Sequence, residues 1–390
     1  MTDQPRLPSL VLSLVPVAVV MTILGLAIPL LGASPHLPLI AGSVVVVLIG
    51  RRLGYNWKTL QEGMVKGISI GLPSILILLS IGILIGAWLA GGVVSLLVAY
   101  GLRLLSPEVF LVACCLICGL VSVVTGSSWT TAATIGVALI GVAEGLEISR
   151  AMTAGAIVSG AYFGDKLSPL SDTTNLAAGV AEVPLFEHIR HMLWTTVPSM
   201  VIALGIYALL GMGAGGETND EHIGLLLETI EEKFHLSPVL LVAPLSVIVC
   251  LVFRMPAVGA ILAGGAVGAV LALTVQGESA TRLVEVLEDG YELESGVASL
   301  DELLSGGGLK SMYSTIGLLL CALSFGGLME STGMLRVIVQ TVMRFAINTG
   351  RLVLATLASS LGVNLLAADQ YLSIILPGRM YKEAYDEAGL

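Results

Sequence analysis

Two carboxylates, Asp165 and Asp172, lie in one otherwise apolar stretch, and the residues beside them are mostly hydroxyls and amides: Ser168, Ser171, Thr173, Thr174 and Asn175. Lys166 adds a cation that can pair with one carboxylate. Oxygen donors of this kind satisfy a hard monovalent cation, and Asp165, Asp172 and Asn175 are the candidate sodium ligands. Burial disfavours the charged form of a carboxylate, so the same group can take a proton in place of the cation. Competition for one site is sufficient to exchange sodium against protons. The structural alternative is an Asp165-Lys166 ion pair at a helix end, with Ser171 and Asp172 capping the next helix.

For these side chains to converge, the chain must break. Residues 151–181 read as an apolar helix interrupted at 164–169, where Pro169 removes a backbone donor and crowds the preceding turn. Gly160 and Gly164 are expected to loosen the helix on the other side. The prediction is an unwound segment, tolerated at membrane depth only where protein or a watery cavity surrounds it. A second polar break, residues 125–131, supplies Ser127, Ser128 and Thr130 as further cation ligands, unless these hydroxyls only bond back to helix carbonyls. Asp369, a lone carboxylate between apolar neighbours, is a third candidate, with Asn364 a weaker companion. Ionisable groups within a membrane are costly and mark function. Glu144, Glu147 and Arg150 read instead as a solvated turn, and His188, Arg190 and His191 as interfacial anchors.

The elements that position these groups follow from composition. Of 390 residues, 56% are hydrophobic and 12% charged, and the mean hydropathy is +0.96, which makes a bilayer the natural solvent. About eight to ten apolar runs approach the roughly 20 residues a transmembrane helix needs. The alternating pattern of a membrane β-barrel is missing. The five cysteines sit in apolar runs without zinc-site spacing and read as small hydrophobes. No basic nucleic-acid surface, Walker motif or hydrolase elbow is present, and a literal G-x-G-x-x-G at 211–216 lacks the strand and helix a dinucleotide site needs. Arg51, Arg52, Lys58 and Lys66 place the loop after the second span, and with it the N-terminus, on the cytoplasmic side.

A register near 241 residues superposes Ile81 to Trp88, with Gly91 and Gly92, on Cys321 to Met329, with Thr332 and Gly333. The same register sets Ser127-Ser128-Trp129 opposite Ala368-Asp369-Gln370. The basic loop of the first half corresponds to an acidic one, 278–302, in the second, as inverted repeats require. This gives a first transmembrane repeat at 1–210, an acidic linker at 211–235 on the extracytoplasmic side, and a second, inverted repeat at 236–390. The counterpart of 151–175 would begin near residue 392, so the second repeat reads as incomplete at the C-terminus.

In the blocks GSSWTTAATIGVALIGVA, AGAIVSGAYFGDKLSPLSDTTNLA, HIRHMLWTTVP and DQYLSIILPGRMYKEAY, the sequence resembles the NhaC family of sodium/proton antiporters in the ion transporter superfamily. The resemblance covers essentially the whole chain. It implies an all-α polytopic membrane protein with an inverted-repeat fold, discontinuous helices and hairpins. It further implies sodium-for-proton exchange across a prokaryotic cytoplasmic membrane, often by a homodimer, with sodium as transported substrate and no cofactor. The family's polar motif falls on Gly164, Asp165, Lys166, Ser168, Pro169, Ser171, Asp172, Thr173, Thr174 and Asn175, with Asp369 in the second-half block. Members of the family carry a further polar broken helix beyond the LPGRM block. Similar proteins exchange carboxylates such as malate and lactate, which makes organic-anion exchange the second reading, with Lys166 as the anion's partner. A non-transporting membrane subunit is the third.

Overall fold

Left-handed glycines end several of the helices in this protein, whereas Pro73, Pro198 and Pro377 lie inside theirs. The computed structural model describes residues 6–31, 34–169, 171–214, 220–253, 255–344, 348–367 and 370–389. The first half runs through α1 (Leu10–Leu31), α2 (His36–Arg52), α3 (Trp57–Ala90), α4 (Val93–Leu104), α5 (Pro107–Thr125), α6 (Ser128–Thr131), a π-helical turn (Ala132–Gly136), α7 (Val137–Gly145), α8 (Arg150–Leu167), α9 (Asp172–Ala181) and α10 (Leu185–Ala214). The second comprises α11 (Asp220–Lys233), α12 (Val242–Val252), α13 (Ala257–Thr274), α14 (Ala280–Asp289), α15 (Ala298–Leu303), α16 (Tyr313–Ser331), α17 (Met334–Met343), α18 (Thr349–Ala367) and α19 (Gln370–Glu387).

Among the described residues, five helical stretches are long and apolar enough to cross a bilayer: Trp57–Ala90, Pro107–Thr125, Leu185–Met212, Ala257–Thr274 and Leu309–Ser331. The chain is therefore an all-α polytopic membrane protein. Several of the other apolar runs are divided into short arms. Gly92 (φ +71°) separates α3 from α4, Gly126 (φ +68°) ends α5, and Gly333 (φ +74°) separates α16 from α17. These are conformations that a residue with a Cβ adopts only at a cost. The acidic linker is helical over part of its length. Most of it forms α11, which buries Leu226 and Ile230, while α14 buries Leu283 and Val286 as its amphipathic spacing predicts.

Two compact units emerge. One contains residues 1–75, 176–183 and 314–390, the other 76–175 and 184–313. The first is centred on Leu60, Phe325, Leu328, Met334 and Tyr381; the second on Leu84, Trp88, Phe110, Ile230, Leu240 and Ile261. The 241-residue register relates pieces of them: α3 spans residues 57–90, and shifting those ends by 241 gives the start of α15 and the end of α16. Within the first unit, a Cβ on Gly67 would lie 2.3 Å from the Leu323 carbonyl oxygen and 2.9 Å from Gly327 Cα. Within the second, a Cβ on Gly82 would lie 2.5 Å from the Gly308 carbonyl oxygen, and one on Gly86 3.2 Å from Gly308 N. In the register Gly308 corresponds to Gly67 and Gly86 to Gly327, so each unit contains the same close crossing.

The two left-handed breaks are also held alike. Gln276 Nε2 donates to the Gly91 carbonyl at 3.3 Å, and the buried Tyr55 hydroxyl donates to the Thr332 carbonyl at 3.1 Å. Gly91 and Thr332 are equivalent in the register. Each is the residue before the left-handed glycine, where the turn leaves a carbonyl without its helical donor.

Candidate functional site

The break in the apolar stretch 151–181 is shorter and later than Gly160 and Gly164 predict. Helix α8 keeps its geometry through Leu167, and Ser168 then turns extended at ψ 127°. The cause is Pro169, whose ring excludes the helical conformation from the residue before it. Gly164, Asp165 and Lys166 thus belong to the last turn of α8, and the break begins at Ser168. The two glycines do not loosen the helix; they bring it against α5. A Cβ on Gly160 would lie 2.1 Å from the Cys115 carbonyl oxygen, and one on Gly164 2.2 Å from that of Gly119. The Gly160-x-x-x-Gly164 spacing is the sequence signal for this packing. The buried Ser122 hydroxyl reinforces it by donating to the Ala161 carbonyl at 2.6 Å.

This packing holds Asp165 in the interior, 4% exposed. Its Oδ2 accepts from the hydroxyl of Ser128, the first residue of α6, at 2.9 Å. On the far side of the break, the Thr174 hydroxyl donates to the carbonyls of Asp165 at 3.3 Å and Lys166 at 3.1 Å, tying α9 to the C-terminus of α8. Ser171 caps α9, its Oγ accepting from Thr174 N at 3.2 Å, and shares a 3.1 Å hydroxyl contact with Thr173. Asn175 Nδ2 donates to the carbonyls of Pro169 and Ser171 at 3.0 and 2.6 Å. Ser168, Ser171, Thr173 and Thr174 are all buried. Among the described residues the fold thus gathers the buried carboxylate of Asp165, several hydroxyls and a cluster of helix-end carbonyls at the break.

Other expected members stand elsewhere. Lys166 is exposed and, among the described residues, pairs with no carboxylate. Its position one residue after Asp165 turns its side chain about 100° around α8, toward the surface. Ser127 caps α6, its Oγ accepting from Thr130 N at 3.2 Å and from the Thr130 hydroxyl at 3.0 Å. Thr131 and Thr134 bond back to carbonyls of their own turns, so of the residue 125–131 hydroxyls it is Ser128 that reaches the carboxylate. Asp172 opens α9; its side chain, and all of Asp369, lie outside the described residues. Arg150 is exposed, as the solvated-turn reading expects, and it also pairs with Glu144 and, at 2.8 Å, with Glu302, joining the turn between α7 and α8 to α15.

The cysteines behave as apolar residues, with Cys114, Cys115 and Cys118 fully buried. Among the described residues no three His, Cys, Asp or Glu side chains gather as a metal site would require. Among the described residues, the arrangement at the break therefore offers hard oxygen ligands and the buried titratable Asp165.

Known proteins with this sequence pattern are antiporters. A family model described as the Na+/H+ antiporter family matches residues 160–390. The chain is 40% identical over 368 residues to the Na(+)/H(+) antiporter NhaC of Alkalihalophilus pseudofirmus, covering 94% of this chain and 79% of that protein. It is 38% identical to the Na(+)/H(+) antiporter NhaC of Bacillus subtilis, covering 93% of this chain and 80% of the relative. It is also 38% identical to the malate-2H(+)/Na(+)-lactate antiporter of Bacillus subtilis, covering 91% of this chain and 76% of the relative. These relatives are transporters rather than enzymes. The chain belongs to the Na+/H+ antiporter family.

Proposed function

We propose that this protein exchanges sodium for protons across a prokaryotic cytoplasmic membrane, with the two cations competing for the carboxylate of Asp165. The observation that carries this reading is the buried Asp165 beside Ser128, at the end of a helix whose last carbonyls meet Thr174. When ionised, the carboxylate contributes one full charge to a dehydrated cation, and the surrounding hydroxyl and carbonyl oxygens complete the shell without adding charge. When protonated, the same carboxyl needs no cation. Asp172 and Asn175 are the further sodium ligands in this scheme, Ser127, Thr130 and Asp369 are additional candidate ligands by sequence, and the N-terminus faces the cytoplasm, with residues 211–235 on the opposite side.

The second reading, organic-anion exchange, draws on the malate/lactate relative. An organic carboxylate wants a buried cation. Lys166, the one lysine of the motif, is exposed, which favours the inorganic exchange.

Proteoliposomes with an internal pH dye test both readings, using the wild-type chain and the Asp165→Asn and Asp172→Asn variants. Sodium-driven proton movement without any organic anion, lost in Asp165→Asn, is the expected result. Flux that requires malate or lactate replaces it with the exchanger reading, and an Asp165→Asn variant that still couples sodium to protons removes Asp165 from the site.

A further inference from the structure

A polar cavity, apart along the chain from the residues at the break, lies in the unit built on residues 76–175 and 184–313. It has a volume of about 400 Å³, and Tyr100, Arg103, Glu231, Phe234, His235 and Ser237 contribute to its lining. Arg103 and Glu231 form an ion pair there, each about half exposed. The rest of the wall is apolar, from Leu96, Ala99 and Leu236.

Two observations place this cavity at a membrane boundary. First, the chain bends by 91° between Ile223–Lys233 and Pro238–Val252. The first of these segments is rich in acidic residues, and the second is apolar. Second, the apolar segment exposes Val239, Val242, Leu245, Val249 and Val252, one continuous stripe at helical spacing that needs hydrocarbon against it. That stripe starts two residues after Ser237, at the cavity's edge, and the exposed Leu104 follows directly on Arg103.

The cavity is also preformed. His235 is held on both sides of its backbone by Gln276, whose Oε1 accepts from His235 N at 3.0 Å and whose Nε2 donates to the His235 carbonyl at 3.2 Å. Phe234 is buried, its ring centroid 6.4 Å from that of Tyr291.

We propose that this cavity binds the headgroup of a zwitterionic phospholipid carrying a primary amine, of the phosphoethanolamine type. Arg103 takes the phosphate, where a guanidinium matches two oxygens at once. Glu231 takes the ammonium, and the apolar wall receives the glycerol and the first methylenes. The charge balance selects the headgroup. Arg103 and Glu231 sum to zero, so a net anionic headgroup meets as much repulsion as attraction, while a choline headgroup offers Glu231 no N–H donor. An ion pair this exposed contributes little by itself, so its two charges can turn to a ligand with little loss.

The test uses the full chain, stripped of lipid in detergent and mixed with phosphatidylethanolamine, phosphatidylcholine or phosphatidylglycerol of identical acyl chains. Native mass spectrometry and the thermal midpoint are the readouts. Phosphatidylethanolamine is expected to be retained about tenfold over the other two, a difference of the size one hydrogen bond to a charged group supplies, and to raise the midpoint. Arg103→Ala and Glu231→Gln abolish the preference while their lipid-free midpoints stay at the wild-type value. Glu231→Lys, which makes the cavity cationic, transfers the preference to phosphatidylglycerol. Equal retention of the three lipids by the wild type overturns the proposal, as does a Glu231→Lys variant that still prefers phosphatidylethanolamine. Protection by free phosphoethanolamine equal to that by the lipid also overturns it, assigning the cavity to a soluble zwitterion.

Discussion

Replacing Gly164 by alanine is expected to cripple transport without touching any polar atom of the site. A Cβ at this position would lie 2.2 Å from the Gly119 carbonyl oxygen, 2.7 Å from Ser122 Cβ and 2.7 Å from Val123 N, whereas ordinary contact begins at 3.4 Å. The obstacles include backbone of α5, which cannot swing aside as a long side chain can. Helix α8 must therefore retreat by roughly 1 Å, because a close-packed interior has no slack to absorb the methyl group. Asp165 is the next residue, and its 2.9 Å bond from Ser128 is carried toward the limit at which a hydrogen bond is lost. Misplacing a positioned group by on the order of 1 Å lowers rates about 100-fold, and overpacking lowers stability by about 1–3 kcal/mol. Initial rates of sodium-driven alkalinisation in proteoliposomes, normalised to inserted protein, measure the first; thermal unfolding in detergent measures the second. The control is Gly155→Ala on the same helix, where a Cβ meets only the Tyr207 hydroxyl at 3.4 Å, and which is expected to keep the wild-type rate. A Gly164→Ala protein as fast as wild type, or a Gly155→Ala protein equally impaired, refutes the link between this packing and the site.

Ser128→Ala removes the donor to the Asp165 carboxylate; a hydrogen bond to a charged group is worth about 1.5–3 kcal/mol, so the sodium concentration for half-maximal exchange is expected to rise at least about tenfold, read from sodium titrations of the same assay. Gln276→Leu leaves the Gly91 carbonyl without its donor and should lower stability by about 1–3 kcal/mol, and Tyr55→Phe should do the same at the Thr332 carbonyl; denaturant or thermal unfolding checks both, and an unchanged midpoint in either excludes a role in pinning its break. Burial holds the Glu144 carboxyl above its ordinary value of 4.5, with Arg150 opposing that shift. A carboxyl raised on folding contributes stability that is complete below 4.5 and is lost as pH rises through its folded value; Arg150→Ala should move that loss to higher pH, visible as a displaced pH dependence of the thermal midpoint.

Much of the fold is legible in the residues. The left-handed turns at Gly92 and Gly333 sit where paired glycines or Thr-Gly interrupt apolar runs, because only glycine takes that conformation without strain. The amphipathic spacing of Leu283 and Val286 is equally direct. At the site, the sequence identifies the break but misplaces its edge. Glycine within a membrane helix permits either flexibility or close packing, and the partner chain segment, here Cys115 to Gly119, decides which. Lys166 shows a related limit: its charge suggests pairing with the neighbouring carboxylate, but adjacent residues on a helix point in different directions. Glu144 and Arg150 read as a solvated turn because their third partner, Glu302, is 152 residues away from Arg150 along the chain. The shape of the cavity around Arg103 and Glu231 comes from a bend between helices and has no local signature at all.

The register between the halves constrains which features belong to the architecture and which to one half. Residues 57–90 form one continuous helix of 34 residues, while the equivalent 298–331 is divided into α15, a glycine loop, a short 3₁₀ turn (Leu309–Met312) and α16. The backbone differs most at Gly306, Gly307 and Gly308, which have φ of +133°, +73° and +78° and so cannot continue a helix. Yet the close crossing survives, with a glycine against a backbone carbonyl in both places. A helical surface achieves that approach in the first half and an unwound one in the second, so it is the short distance, not the helix, that both halves require. The same logic applies at the candidate site. In this register Ser128, which donates to Asp165, corresponds to Asp369, so a hydroxyl in one half stands where the other has a carboxylate. The carboxylate of Asp165, which has its own donor from α6, is therefore the group to perturb first.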